Sequence, residues 1–400
     1  MSGDRGQRAP NTVSKLSARS WRARELAVLG EIGLIWLVSR VLVYLFAGWS
    51  QFVVVPSTIA FLPETQTGLP WWLEWGTHWD GAWYLSIVRE GYHLGAAGQE
   101  SNLAFWPLYP ALLKGLTVFF GQKHLALLAL AISNVSLFFA LWVLRHLVAL
   151  DASEAIARRT VVYIALFPTS FFYSAYYPES LFLLGLALAW YCARSGRIWQ
   201  AGLSGGLAAL THVPGALLMF PLLWESLFRT GRLSLGWARQ QTGLLLVPAA
   251  VLGFLAYLQL QVGDAFAFFR AAQGWNHAFA WPWAQLIDVW GWVLPGGKAD
   301  PREVAPLLFT MAVLAVTALS ARRMRAPYLL WIVMLLLLYL SVPSPQPLIS
   351  MPRYTLQLFP VFVVLAQWGE RPWVNRCTLL VFVVGLGVLT SLFARWHWVG

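Results

Sequence analysis

Charge is what this chain has least of. Only 11% of its 400 residues are Asp, Glu, Lys or Arg, and 58% are hydrophobic. A water-soluble globular chain carries about 25% charged and about 45–50% apolar residues. So little charge cannot cover a surface in water, which excludes a soluble domain, a disordered chain and a charge-laced coiled coil. Cysteine is scarce too. Cys192 and Cys377 lie far apart near the ends of apolar segments, so neither a disulfide scaffold nor a thiolate metal site is expected. No internal repeat period is visible, which excludes a solenoid and weighs against inverted-repeat transporter folds. There is no Gly-rich strand-to-helix loop of the kind that cradles a dinucleotide. Nor is there a basic stripe interleaved with aromatics in an aqueous domain, so nucleic acid is excluded as a partner. No cofactor motif is present and no metal is expected.

What is there is apolar and aromatic: mean hydropathy is +0.61, with 24 Trp and 22 Pro. The expected fold class is an all-α polytopic membrane protein. Eleven apolar segments follow one another: Glu31–Trp49, Leu125–Leu144, Thr160–Ala175, Ser180–Ala193, Trp199–Leu210, Val213–Phe228, Thr242–Val262, Val304–Ser320, Pro327–Val342, Tyr354–Trp368 and Thr378–Ala394. Several are shorter than the roughly 20 residues that span hydrocarbon, as expected where a broken helix lines a cavity inside the protein. The segments on either side of Thr211 and His212 are alternatively the two arms of one re-entrant hairpin. Residues 1–30 are polar and basic (Arg5, Arg8, Lys15, Arg19, Arg22, Arg24) and read as a cytosolic tail ahead of an uncleaved signal anchor, with residues 31–400 forming the transmembrane domain.

Alternating the segments from an inside tail puts most of the 28 basic residues on the inner face, as the positive-inside rule requires. The net charge of +11 is then an orientation signal. Two long loops, Gln51 to His124 and Gly263 to Glu303, fall outside, and loops of that length are usually functional.

The first outer loop reads Trp71-Trp72-Leu73-Glu74-Trp75-Gly76-Thr77-His78-Trp79-Asp80-Gly81-Ala82-Trp83-Tyr84. From Asp80 onward, Trp83, Tyr84, Ile87 and Val88 fall on one helical face, too short to span and suited to the membrane surface. Phe105 to Phe120 reads as a second such helix, with Lys114 on its wet side. Asp80 is either an N-cap or a reactive carboxylate, and the two roles can coexist. The outer loops are rich in Trp, including Trp275, Trp281, Trp283, Trp290 and Trp292. They form either an interfacial belt or aromatic walls for a sugar, whose C–H faces pack on rings.

Three further elements aim at the same face. Glu179 follows a short turn, either as a helix-start acid or as a substrate-positioning group. Thr211-His212-Val213-Pro214-Gly215 breaks a helix at depth, with His212 either a core histidine or a ligand. Pro352-Arg353-Tyr354 opens the tenth segment, and an outward Arg beside a cavity is a natural phosphate ligand. Arg40 lies within the first span and needs a partner or a polar cavity.

The blocks His78-Trp79-Asp80-Gly81-Ala82-Trp83-Tyr84, Gly91-Tyr92 and Phe105-Trp106-Pro107-Leu108-Tyr109-Pro110 together resemble the PIG-V family. These are the GPI second-mannosyltransferases and their bacterial relatives, of the GT-C glycosyltransferase fold. The resemblance continues through Tyr176-Tyr177-Pro178-Glu179-Ser180-Leu181-Phe182 and Thr211-His212 to Pro352-Arg353-Tyr354. The chain departs from the family where it has Trp106 in place of a second Phe, and His212 where the family often has Arg.

The resemblance implies transfer of a sugar, mannose, from a polyprenyl-phosphate donor to an acceptor hydroxyl on the outer face. The donor and the lipid bilayer are the expected partners, and the acceptor is open between a glycolipid, a glycan and a protein. The expected site has Asp80 as general base, Arg353, His212 and Arg40 on the donor phosphate, and His78, Trp79, Trp83, Tyr84, Glu179 and Trp106 framing sugar or acceptor. A single carboxylate suffices for one inverting displacement. The tail and the absence of a retention signal fit a bacterial plasma membrane. The competing readings are a transporter or flippase of a lipid-linked solute, an outer-face glycan polymerase or ligase, and a non-catalytic scaffold.

Overall fold

A computed structural model describes residues 12–61, 67–94, 100–231, 233–274, 279–293, 301–342 and 346–400. Of the residues named above, Arg5, Arg8 and Trp275 lie outside this set, and the side chains of Lys15, Arg19, Trp290 and Trp292 are not described. The described residues form helices joined by short 3₁₀ turns and loops. Among the described residues, four helical stretches are long and apolar enough to cross a membrane: Arg22–Val53, Gln122–Ala149, Leu235–Val262 and Pro372–Phe393. Shorter apolar helices, among them Val304–Ser320, Ala326–Leu340 and Phe359–Trp368, accompany them. Large apolar side chains such as Phe52, Val118, Phe119, Leu260 and Leu380 point outward. Water does not tolerate that much contiguous apolar surface, and an integral membrane protein is the reading that accommodates it.

The interior is built around Leu125–Ala149, Glu179–Arg194 and Ile198–Ala209, which pack side by side. Small residues set their spacing. A Cβ on Gly185 would lie 3.1 Å from the Ala208 Cβ, and one on Gly202 would overlap the carbonyl of Gly243 in the turn beyond, so small residues permit both approaches, the device by which membrane helices gain contact without a hydrophobic drive between them.

Several segments differ from expectation at proline and serine. The span expected over Thr160–Ala175 is a helix, Glu154–Leu166, capped by Ser153, whose hydroxyl accepts from the Ile156 N–H. It stops before Pro168, which cannot continue a helix. A buried loop with one 3₁₀ turn, Ser170–Tyr173, follows. Buried backbone outside a helix must find partners, and side chains supply several here. Ser170 Oγ and Arg40 both donate to the Ala165 carbonyl, Arg40 also to the Ser170 carbonyl, and Ser180 Oγ to the Tyr173 carbonyl. The tenth segment likewise opens with two short turns, Met351–Tyr354 and Thr355–Gln357, before Phe359–Trp368. The basic tail is helical from Thr12 and continuous with the first span as Thr12–Val53.

In the first long loop the two expected helices are present. Asp80–Glu90 buries Tyr84, Leu85, Ile87 and Val88 and ends at Gly91, whose φ of 82° suits glycine. The second begins at Leu108, three residues later than expected, runs to Phe120, and leaves Lys114 exposed. The two pack through Tyr84 against Phe105 and Tyr109, at ring centroid distances of 5.0 and 5.4 Å.

Candidate active site

Three charged residues from distant parts of the chain meet at one end of the helix Glu179–Arg194. Arg353 Nη1 donates to Asp80 Oδ2 at 2.5 Å, and Arg353 Nε donates to Glu179 Oε1. Arg353 and Glu179 are buried, while the Asp80 side chain keeps 21% of its surface exposed. Asp80 and Glu179 each open a helix, so two positive helix ends and one guanidinium face two carboxylates. Neither acid acts as a side-chain cap: the N-cap positions are Trp79 and Pro178, without a capping hydrogen bond. The N-cap reading of Asp80 is thereby corrected, because its carboxylate is turned to Arg353 instead.

The backbone that presents Asp80 is strained. Trp79 has φ 55° and ψ −123°, a region a bulky residue rarely occupies and one that costs on the order of 1–3 kcal/mol. The turn is also crowded: a Cβ on Gly81 would lie 2.5 Å from the Gly76 carbonyl oxygen. The strain is held by neighbours. The Tyr177 hydroxyl donates to the His78 carbonyl at 2.9 Å and accepts from the Asp80 N–H at 3.0 Å. Its ring lies under the Arg353 guanidinium at 4.8 Å, with the Phe172 ring at 5.3 Å.

Against burial, which alone would lower it, Glu179 and then Asp80 hold the Arg353 guanidinium well above its ordinary value. It is therefore a fixed cation. Glu100, on the exposed side, has its carboxyl pushed up first by burial and then by the charge of Asp80, which adds another acid to the neighbourhood.

The other residues singled out from the sequence are placed variously. His78 is buried, its Nδ1 is 3.1 Å from the Phe393 carbonyl, and its ring stacks on Trp396 at 3.8 Å. Burial pushes its imidazole down to about 3, so it is a neutral tie to the end of Pro372–Phe393. Trp79 packs edge-on against Trp398 at 5.6 Å. Trp83 stacks on Phe105 at 6.1 Å, and Tyr84 sits beneath it in the core of the loop. Trp106 is buried against Phe254 and Phe268. His212 lies beside Phe182, with Nε2 3.5 Å from the Gln357 amide nitrogen.

Buried polar atoms on four of these residues have no hydrogen-bond partner among the described residues: Trp79 Nε1, Trp106 Nε1, Glu179 Oε2 and His212 Nδ1. Such atoms are uncommon in a finished interior. Arg40 contrasts with them. Its guanidinium donates to Ser39 Oγ, the Ser170 carbonyl, Ser174 Oγ, the Ala165 carbonyl and Ser170 Oγ. All five of its N–H groups are thus spent on protein. Expected on the donor phosphate, Arg40 instead holds the buried loop that carries Tyr177. Among the described residues no group of three or more His, Cys, Asp or Glu side chains gathers as a metal site.

Residues 53–238 match the family model described as mannosyltransferase (PIG-V). Across that span the chain is similar to PIG-V mannosyltransferases. No curated protein matches the chain. That likeness favours a glycosyltransferase over the transporter and scaffold readings. Asp80, Tyr177, Glu179 and His212 all come from the matched span. Arg353, the residue that joins the two carboxylates, comes from outside it.

Proposed function

We propose that the enzyme moves a mannosyl group from a polyprenyl-phosphate donor to an acceptor hydroxyl, with inversion at the anomeric carbon. The observation that carries this reading is the convergence of Asp80 and Glu179 on Arg353 at a strained, tightly held turn. Asp80 takes the proton of the acceptor hydroxyl as its oxygen attacks the anomeric carbon. The bond from that carbon to the phosphate oxygen breaks, and the polyprenyl phosphate leaves with the electron pair. Such general-base assistance contributes typically about 10²–10⁴-fold. Arg353 stabilises the negative charge that grows on the leaving phosphate.

The charges make this exchange specific. Two carboxylates against one guanidinium leave the resting cluster with one net negative charge, so a phosphate entering the site competes with Asp80 for Arg353 Nη1. As Arg353 swings from carboxylate to phosphate, Asp80 loses its partner and becomes available to the acceptor. Glu179 keeps Nε and holds the guanidinium in register. Trp79, Trp106, Glu179 Oε2 and His212 Nδ1 offer unspent donors and acceptors for sugar hydroxyls and the donor phosphate. Trp83 and Tyr84 shape the wall beside them.

The architecture in this reading is GT-C-like, with about eleven membrane segments, a cytosolic tail over residues 1–30 and the site on the outer face of a bacterial plasma membrane. The distribution of basic residues supports that orientation. The test is transfer of label from polyprenyl-phosphate-mannose by the purified enzyme to a panel of glycolipid, glycan and peptide acceptors. Label on one acceptor, absent with Asp80→Asn, is expected. Intact enzyme that labels none of them overturns the donor assignment.

A further inference from the structure

Tyr177 was part of a motif but not of the expected site, yet it contacts both the turn under Asp80 and the Arg353 guanidinium. Its phenol is fully buried, and a buried tyrosine hydroxyl needs partners. It finds two on the same turn: the His78 carbonyl, to which it donates, and the Asp80 N–H, from which it accepts. The latter is one of the free N–H groups at the start of the helix Asp80–Glu90, where Trp79 supplies no side-chain cap. Tyr177 therefore caps this helix from another part of the chain and grips both sides of the strained Trp79 residue. The same ring faces the Arg353 guanidinium at 4.8 Å, a distance suited to a cation–π contact. Two independent contacts, one to the backbone under Asp80 and one to its ionic partner, meet in one side chain.

We infer that Tyr177 is the positioning residue of the reaction: its hydroxyl fixes where the Asp80 carboxylate stands, and its ring fixes the plane in which Arg353 can swing. This rests on the general-base reading of Asp80. Burial first, and then the charge of Asp80, push the phenol upward, so the hydroxyl stays a donor throughout any working range. Tyr177 itself exchanges no proton with substrate. Its loss misplaces the base without removing it, and misplacement by about 1 Å costs on the order of 10²-fold in rate.

The experiment compares Tyr177→Phe, Tyr177→Leu, Asp80→Asn and Asp80→Asn/Tyr177→Phe in the full-length enzyme, per mole of folded protein, with polyprenyl-phosphate-mannose as donor. Tyr177→Phe keeps the ring and loses the grip. The expected result is a kcat lower by about 10- to 100-fold with the donor KM unchanged. Tyr177→Leu also raises the donor KM, because Arg353 loses its aromatic face. In the Asp80→Asn background the Phe substitution has no further effect. A purely structural tyrosine would lower the yield of folded enzyme and leave kcat per folded molecule unchanged, and that result overturns the inference. So does a double variant whose losses multiply, since Tyr177 would then act on something other than Asp80. If Asp80→Asn turns over normally, it is the general-base reading that fails; the kcat of Tyr177→Phe then still tells whether the grip matters.

Discussion

The helix Glu179–Arg194 carries a charge cluster at each end, and the two are built on opposite plans. At its C-terminal end, Arg194 donates to Asp151 at 2.5 Å and to Glu225 at 3.0 Å, while Arg325 reaches Glu225 at 2.7 Å and Asp151 at 3.4 Å. Two cations meet two anions, and Tyr328 closes the ring by accepting from Arg194. At its N-terminal end one cation serves two anions beside a strained Trp79; each cluster holds one carboxylate oxygen without a partner among the described residues, Glu179 Oε2 here and Glu225 Oε2 there. Balanced charge with short, repeated pairing ties helices together. Unbalanced charge held in place by strain and aromatic rings leaves one cation whose partners can be exchanged. Composition alone cannot separate the two, since both are a few ionisable residues in an apolar chain.

The comparison can be broken most directly at Asp80. Asp80→Asn should lower kcat by about 10²–10⁴-fold while the melting temperature stays near that of the wild type, because the amide keeps the shape of the side chain and the Arg353–Glu179 pair remains. Near-normal turnover in the label-transfer assay would remove Asp80 from the chemistry. Arg353→Ala should fail in both respects. It leaves Glu179 buried without a cation, a change that costs on the order of 3–5 kcal/mol, and it should abolish donor use. Measuring melting and transfer together separates the two losses, and unchanged transfer would place Arg353 outside the site.

The Glu225 cluster should respond in stability only. Glu225→Gln removes the fully buried anion between two arginines, with an expected loss of about 3–5 kcal/mol and an unchanged kcat per folded molecule. A changed kcat there would mean the two ends communicate. Asp151→Asn should cost less, about 0.2–1 kcal/mol, because the Asp151 side chain is 35% exposed and its pairs are screened.

A further effect is expected on pH dependence. His78 is held down to about 3 when folded and titrates near 6.5 when unfolded. Its contribution to stability is complete above about 6.5 and is lost progressively as pH falls toward 3, since the unfolded chain binds the proton first. A melting profile over that range should flatten in His78→Gln; an unchanged slope would assign the pH dependence to other groups.

Much of this site was legible because ionisable residues are so few. With 11% charge, Asp80, Glu179 and Arg353 stood out singly, and the structure brings them into contact. The helices of the first long loop were legible from the spacing of Tyr84, Ile87 and Val88. Arg40 was legible as a buried cation but not in its use, because its five acceptors lie on Ser39 and, more than 120 residues away, on the end of the helix Glu154–Leu166 and the loop after it. That loop was itself misread as helix, Pro168 being outweighed by the apolar run before it. Tyr177 was hidden for a different reason. A tyrosine among phenylalanines and tyrosines carries no signal until the backbone it grips is known. The role of His78 was hidden likewise, since Phe393 and Trp396 reach it only in three dimensions.

The helix Glu179–Arg194 has 16 residues and so measures about 24 Å, against a hydrocarbon layer of about 30 Å. Laid across an undistorted bilayer, a helix of that length would keep at least one of its charged ends beneath the headgroups. If that end is the one with Arg353, the guanidinium would be met sideways, by molecules already dissolved in the membrane, before it is met by anything arriving from solution. Ions in the medium hardly reach such a place, and turnover on a membrane-borne donor should accordingly be nearly indifferent to ionic strength.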